Sequence, residues 1–346
     1  MQVSNFELLI LFCVSFLITS LLTPVMRRIA LRLGVTDKPN QAHKTHKEPV
    51  PYLGGLAIVV GVVVVTYATL TFTIFTRQAL LLATAILAPA LMMATVGLID
   101  DLKQLKPLPR FFVQNMIALV ATTVLISTDT FGSPFGILIL DFIISILWLV
   151  GITNAVNFFD NVDGGASGTI AISSAALAQI ALSSGQFLIA SMSLVITGTT
   201  TAFLIWNKSP AKIYMGDAGA LFLGILLASL TIRVDTNADI GRLGFIIPVL
   251  LLAIPILDTS IAVTRRIKKG TSPFQGGRDH LSHRLMRQGL TKQQTVLTLW
   301  GLSALFASLS LAFVHLDSSI RFFTLVIGAI LWIGLFVFFF NTRDID

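Results

Sequence analysis

The sequence predicts an all-α, polytopic integral membrane protein, and two observations carry that expectation. Hydrophobic residues make up 55% of the 346 positions and charged residues only 12%. A water-soluble chain of this length would have almost no polar surface with which to cover itself. The apolar residues also fall in runs, most of them about 17 to 23 residues long, the length at which a helix crosses the hydrocarbon core of a bilayer.

Taken in order, the runs define eleven expected spans: 6–23, 53–75, 79–99, 111–126, 137–156, 166–184, 187–206, 218–232, 243–263, 296–314 and 322–340. The sixth and eighth are the least apolar or the shortest, being rich in Ser, Thr and Gly. Ahead of the first run stands Glu7 rather than a basic segment, and no small-residue cleavage site follows it, so it reads as a retained span. The single cysteine, Cys13, lies in that run, can form no disulfide within the chain and is given a packing role. Residues 1–346 are expected to form one membrane-embedded domain.

Charge orients the bundle. With the N-terminus outside and the C-terminus cytoplasmic, 20 of the 24 lysines and arginines fall on one side, leaving Arg77, Arg233, Arg242 and Arg321 on the other. The basic side is therefore expected to be cytoplasmic, at an inner (plasma) membrane. The net charge of +7 is this bias, with some attraction to anionic lipids and substrates, and does not point to nucleic acid.

Four polar constellations then sort to that same side. The first is Asp100 and Asp101 in GLIDDLKQLKP, adjacent carboxylates that repel unless a cation such as Lys103 or a divalent metal lies near them. The second is NAVNFFDNVDGG, where Asn154, Asn157, Asp160 and Asn161 recur at helical spacing and Asp163 follows. Amides and carboxylates gathered at a membrane mouth suit a metal and a phosphorylated, sugar-bearing ligand; taken alone, they equally suit a wetted helix end. The third is Asp217 in YMGDAGA, whose glycines would let backbone N–H groups approach phosphate at a helix N-terminus, with Lys212 nearby to neutralise it. Magnesium suits such carboxylates because it is usually held by one or two of them plus substrate phosphates.

The fourth is the basic loop TRRIKKGTSPFQGGRDHLSHRL, where His280 and His283 share a helix face beside Arg284. A zinc site would need further ligands, and the cytoplasmic extras are only His43, His46 and Asp279, so phosphate-binding histidines are preferred, with Arg284, Lys103 and Lys212 as further substrate-binding candidates. His315, alone on the outer side, carries no chemistry in this reading.

Five segments, DKPNQAHKTHKEPVPYLGGLAI, GLIDDLKQLKPLPRFFVQN, NAVNFFDNVDGGASG, PAKIYMGDAGALFLG and GRDHLSHRLMRQGLTKQQTV, resemble in the same order the motifs of the polyprenyl-phosphate N-acetylhexosamine-1-phosphate transferases. The resemblance runs from Asp37 to the tenth span. It implies catalytic and metal or lipid-phosphate roles for Asp100 and Asp101, with Asp160 beside them. Asn157, Asp160 and Asp163 match the nucleotide-sugar motif, Asp217 the magnesium aspartate, His280 and His283 the histidine motif, and Lys44 and His46 the basic first loop. Two departures stand out: Asn161 and Val162 replace a frequent Gly and Leu, and Ser282 replaces a histidine found in many members. Ser282 argues against the pentapeptide translocase of peptidoglycan synthesis and for the simpler N-acetylhexosamine branch.

The implied reaction passes N-acetylhexosamine 1-phosphate from a UDP-sugar, with UDP-N-acetylglucosamine first, to a polyprenyl (undecaprenyl) phosphate, giving UMP. The cofactor is magnesium, with manganese the alternative, and a homodimer is admitted. A phosphomonoester has a second pKa of about 6, so the lipid nucleophile is largely dianionic at neutral pH, and an aspartate with a reference pKa near 4 is a poor base for it. Orientation and cation holding are therefore favoured for Asp100 over a covalent phospho-aspartate. A secondary transporter would place its polar groups near mid-span and often show an internal repeat, neither of which is visible. A CDP-alcohol phosphotransferase expects further acidic residues along one helix, and none follows Asp163 in GGASGTIAISSAALAQIALSSG.

Overall fold

The computed structural model describes residues 4–37, 49–72, 76–127, 137–234, 244–274, 277 and 279–342. Its helices are α1 (Asn5–Leu33), α2 (Gly54–Phe72), α3 (Arg77–Lys103), α4 (Pro107–Ser127), α5 (Leu138–Phe159), α6 (Gly165–Ser183) and α7 (Phe187–Asn207). The remainder are α8 (Gly216–Thr231), α9 (Ile246–Leu251), α10 (Ala253–Lys268), α11 (Leu281–Arg287), α12 (Lys292–His315) and α13 (Ser318–Asn341). Among the described residues the one departure from an all-α chain is a minimal antiparallel pair, β1 (Thr36–Asp37) and β2 (Val50–Pro51), in the connection from α1 to α2.

Among the described residues nine helices are long and apolar enough to cross a membrane, and the protein is a multi-pass membrane protein. The sixth expected span is one of the nine; the eighth and ninth are not. The eighth is α8, only 16 residues long. The ninth, 243–263, divides into α9 and α10 at Leu252. Pro255 causes that division, because it has no N–H to donate to the Leu251 carbonyl four residues earlier. The Leu251 carbonyl instead accepts from Ser173 Oγ at 2.7 Å.

The short α8 is the hub of the bundle, with every residue from Ala218 to Thr231 buried between α2, α3 and α5. Glycines allow this close approach: a Cβ on Gly97 would lie 2.3 Å from the Asp217 carbonyl oxygen, and one on Gly224 2.7 Å from Thr153 Cα. Long apolar side chains on α1, α3, α5 and α13 point outward, as lipid-facing positions do. Cys13 is one of these outward positions, which corrects its expected packing role. The inward stripe of α1 is Leu11, Ser15, Thr19 and Thr23 at spacing four, and position 13 lies off it.

Candidate active site

The connections at one end of the bundle enclose a cavity of about 540 Å³. Six carboxylates line it: Asp37, Asp100, Asp101, Asp160, Asp163 and Asp217. Members of all four polar constellations expected from the sequence thus share a single chamber, since Asn157, Asn161, His280 and His283 also line it.

α3 ends just after the adjacent pair, where Gln104 takes a left-handed conformation and its N–H returns to the Asp100 carbonyl at 2.8 Å. The two aspartates then diverge in role. Asp100 Oδ1 accepts from the Leu105 N–H at 2.6 Å, and its Oδ2 accepts from Arg110 Nη1. Asp101 turns to the start of α8, accepting from the Asp217 N–H at 2.9 Å and the Ala218 N–H at 3.1 Å. A carboxylate at a helix N-terminus satisfies orphan donors and the helix dipole together. Those N–H groups are therefore engaged by Asp101, which changes the expected part of the glycines. Gly216 has φ +71°, and a Cβ there would stand 2.7 Å from Asp101 Oδ2, so the glycine admits the carboxylate.

Asp217 is held from both sides. Its Oδ1 accepts from Asn157 Nδ2 at 2.7 Å and its Oδ2 from Arg110 Nη1 at 2.8 Å, so one guanidinium nitrogen serves Asp100 and Asp217 together. One helical turn deeper, Asn154 Nδ2 donates to Gln114 Oε1 at 2.9 Å, tying α5 to α4 beneath this layer. Asp160 caps the C-terminal end of α5. Burial, with the charges of Asp101 and Asp163, pushes its carboxyl up to about 7. Asp163 accepts from the Ala211 N–H at 3.2 Å and stands 3.9 Å from Lys292 Nζ. Asn207 braces the neighbouring loops, accepting from Gly164 N and Ser167 Oγ, each at 3.0 Å, and donating to the Ile213 carbonyl at 3.1 Å. Tyr52 and Tyr214, with ring centroids 6.2 Å apart, also face the cavity. Burial and nearby carboxylates raise both phenols above their ordinary range, so both remain hydroxyl donors.

The histidine loop is organised by a residue inside the ninth apolar run. Asp258 of α10, fully buried, accepts from His280 Nδ1 at 2.8 Å and from the Leu281 N–H at 2.6 Å. The other His280 nitrogen, Nε2, lies 3.2 Å from Arg266 Nη2. Ser282 does not face the cavity; it is buried and donates to Asn161 Oδ1, so the two departures from the family pattern are in contact.

Three expected substrate-binding residues are placed elsewhere. Arg284 is fully buried and donates to the carbonyls of Asp279, Phe339 and Thr342, bracing the end of α13. Lys103 is exposed and outside the cavity lining. Lys212 is exposed, with its ammonium 5.6 Å from the Trp206 ring centroid. Lys44 and His46 lie outside the described residues. Sequence reasoning missed Arg110, Lys292, Asp37, Tyr52, Tyr214 and Asp258. Of these only Arg110, in the quoted segment LKPLPRFF, had a signal, as a cation near an acidic pair.

Among the described residues no three His, Cys, Asp or Glu side chains form a ready metal cage. Magnesium does not require one, being commonly held by one or two carboxylates with water and phosphate oxygens completing the shell. Asp100 and Asp217 meet that condition, since both already contact one cationic nitrogen. The donors are hard oxygens, which fit magnesium. His280 is not available to a zinc site, both of its nitrogens being engaged.

Similarity to one family model and to three known proteins bears on this geometry. The family model for glycosyl transferase family 4 matches residues 83–235. The probable undecaprenyl-phosphate N-acetylglucosaminyl 1-phosphate transferase of Bacillus subtilis is 34% identical over 338 residues, covering 96% of this chain and 88% of that protein. The decaprenyl-phosphate N-acetylglucosaminephosphotransferase of Mycobacterium tuberculosis is 31% identical over 359 residues, covering 95% and 88%. The phospho-N-acetylmuramoyl-pentapeptide-transferase of Halalkalibacterium halodurans is 29% identical over 329 residues, covering 88% and 96%. A chain that carries the five motifs in order, folds their aspartates and histidines around one cavity and aligns along nearly its whole length with these enzymes belongs to glycosyl transferase family 4, the polyprenyl-phosphate N-acetylhexosamine-1-phosphate transferases.

Proposed function

We propose that the protein transfers N-acetylglucosamine 1-phosphate from UDP-N-acetylglucosamine to undecaprenyl phosphate, producing the polyprenyl diphosphate sugar and UMP, at the cytoplasmic face of the inner membrane. The observation that carries the reading is the convergence of Asp100 and Asp217 on one cationic position, in a cavity at the end of a membrane bundle. A diphosphate and a phosphate entering a chamber of six carboxylates need compensating positive charge. Arg110 and Lys292 supply part of it. Magnesium would supply the rest, neutralising the diphosphate and the departing UMP when bound. Asp217 and Asp100 would hold it, with Asn157 fixing the second Asp217 oxygen.

The lipid phosphate attacks the sugar-side phosphorus of the UDP-sugar, a new P–O bond forms, and the bond to the uridine-side phosphate breaks to release UMP. The nucleophile needs little deprotonation at neutral pH, so the protein's work is placement and charge stabilisation. Asp100 serves as a cation-holding and orienting group. Tyr52 and Tyr214 offer aromatic faces for the uracil ring. The basic excess at the cavity end supports the cytoplasmic assignment. The contact of Ser282 with Asn161 supports the peptide-free sugar, since among the described residues the chamber is lined by two imidazoles, His280 and His283, and the family's third histidine position is turned away from it.

The test incubates purified protein with undecaprenyl phosphate, magnesium and a panel of UDP-sugars, and measures UMP. Lipid- and magnesium-dependent release with UDP-N-acetylglucosamine is expected. Release only with UDP-N-acetylmuramoyl-pentapeptide, or with no UDP-sugar, overturns the assignment. In sealed everted vesicles the UDP-sugar should be consumed without permeabilisation.

A further inference from the structure

The histidine loop closes on α10 through three buried side chains. Asp258, Ala262 and Arg266 recur at spacing four, so they occupy one face of that helix. The Arg266 side chain returns toward the helix N-terminus, as long helical side chains do, and His280 fits between it and Asp258. A guanidinium has five donors and no acceptor. The 3.2 Å approach of Arg266 Nη2 to His280 Nε2 is therefore a hydrogen bond only when Nε2 carries no proton. The ring proton then resides on Nδ1, where Asp258 Oδ2 accepts it at 2.8 Å. The second Asp258 oxygen accepts from the Leu281 N–H at 2.6 Å, which also fixes the first residue of α11. Only a carboxylate satisfies both donors at once: an amide there would face one of them with its own N–H.

The other charges near the ring agree with this arrangement. Arg266 stands 3.5 Å from Asp279 and lies over the Phe158 ring at 5.7 Å, two residues before Asp160, while Lys269 stands 3.5 Å from Asp279. His283 is the neighbouring ring, 6.5 Å away between centroids.

We propose that Asp258 is a positioning residue for the transferase reaction, acting through His280. It fixes that ring as the Nδ1–H tautomer bridged to Arg266, so that the histidine segment stands as a rigid wall of the cavity and presents no imidazolium to the diphosphate. This rests on the transferase reading for its kinetic part and on geometry alone for its tautomer.

The experiment has two independent arms. In the first, the full chain is labelled with ¹⁵N-histidine and reconstituted in nanodiscs, and a His280→Asn variant assigns the His280 signal among the five histidines. The expected signature is a protonated Nδ1 and an unprotonated Nε2. A protonated Nε2 overturns the proposal even if the enzyme shows no activity. In the second, UMP release is measured for Asp258→Asn, His280→Asn and the double variant. Asp258→Asn is expected to lower kcat about 10- to 100-fold with KM nearly unchanged. The double variant should be no slower than His280→Asn, because both changes break one unit. Wild-type kcat in Asp258→Asn, or losses that multiply, overturns the relay. An inactive wild type instead removes the transferase reading and leaves the tautomer result standing.

Discussion

The aspartate layer and the histidine loop both bring charge into buried surroundings, and they satisfy it differently. In the aspartate layer Arg110 is shared between Asp100 and Asp217, all three face the cavity, and Asp217 keeps part of its surface open. In the histidine loop Asp258 has no exposure and accepts from His280 and Leu281, while Arg266 meets the other nitrogen of His280. A shared cation is exchangeable, because an incoming metal or phosphate can take over one of its contacts. A closed relay offers nothing to exchange, since breaking one bond leaves a buried charge unpaired, at a cost of several kcal/mol. Two motifs of the same family thus divide the labour: one meets the ligand, and the other fixes the wall against which the ligand is held.

The largest effect that would break this comparison is expected at Asp217. Asp217→Asn keeps the shape and the Asn157 contact but removes a charge from the cation position, so turnover should fall at least about 10³-fold. The thermal midpoint of the purified protein should stay within a few degrees, because the side chain lies in the first turn of α8 and is 30% exposed toward the cavity. Near-normal UMP release at ordinary magnesium would assign the metal to other groups.

Much of the fold was legible because bilayer thickness imposes itself on composition; nine apolar runs became helices of spanning length. The two exceptions have local causes that hydropathy does not register. α8, only 16 residues long, is wrapped by protein and not by lipid, and the ninth run breaks where Pro255 frees a carbonyl that Ser173 then satisfies. In the site, the acidic residues were legible because charge at a membrane mouth is costly and rarely incidental. Their partners were not. Arg110 lies in an ordinary basic loop, and its role exists only once α3, α4 and α8 meet. Asp258 was hidden inside an apolar run, and Arg284 looked like a phosphate ligand until the end of α13 was found to occupy it. A residue's type can be read from the chain, but its partner comes from the tertiary structure.

A smaller effect sharpens how the two regions are joined. Asn161 follows the aspartate of one motif and Ser282 lies within the other, and their hydrogen bond is a direct tie between them. Ser282 is only 1% exposed, so a histidine there must enter the space that Asn161 fills. Asn161→Gly and Ser282→His are each expected to lower kcat/KM about tenfold, which corresponds to about 1.4 kcal/mol. The double variant should recover most of that loss, because the glycine vacates the room the imidazole needs. Losses that multiply in the double variant would show the two positions to be independent.

The smallest effect concerns Asp160, the cavity-lining carboxyl at the C-terminal end of α5. Its folded value is about 7, against about 4 for an unfolded aspartate. Between those values the folded protein holds a proton that the unfolded chain has released, so this residue's contribution to stability falls as pH rises from 4 to 7 and is constant above. Asp160→Asn removes that dependence. With a chelator present to exclude divalent ions, the variant should match the wild type near pH 4 and be the more stable at pH 8. The gain should be about 1 kcal/mol, since Asp160 is partly exposed and screening reduces the full shift. Thermal unfolding at the two pH values measures it. An equal difference at both would show that neither burial nor the charges of Asp101 and Asp163 raise the Asp160 carboxyl in the folded protein. A gain at pH 8 that magnesium abolishes would show that a cation relieves the same repulsion, and would place the ion within reach of Asp160 as well as of Asp217.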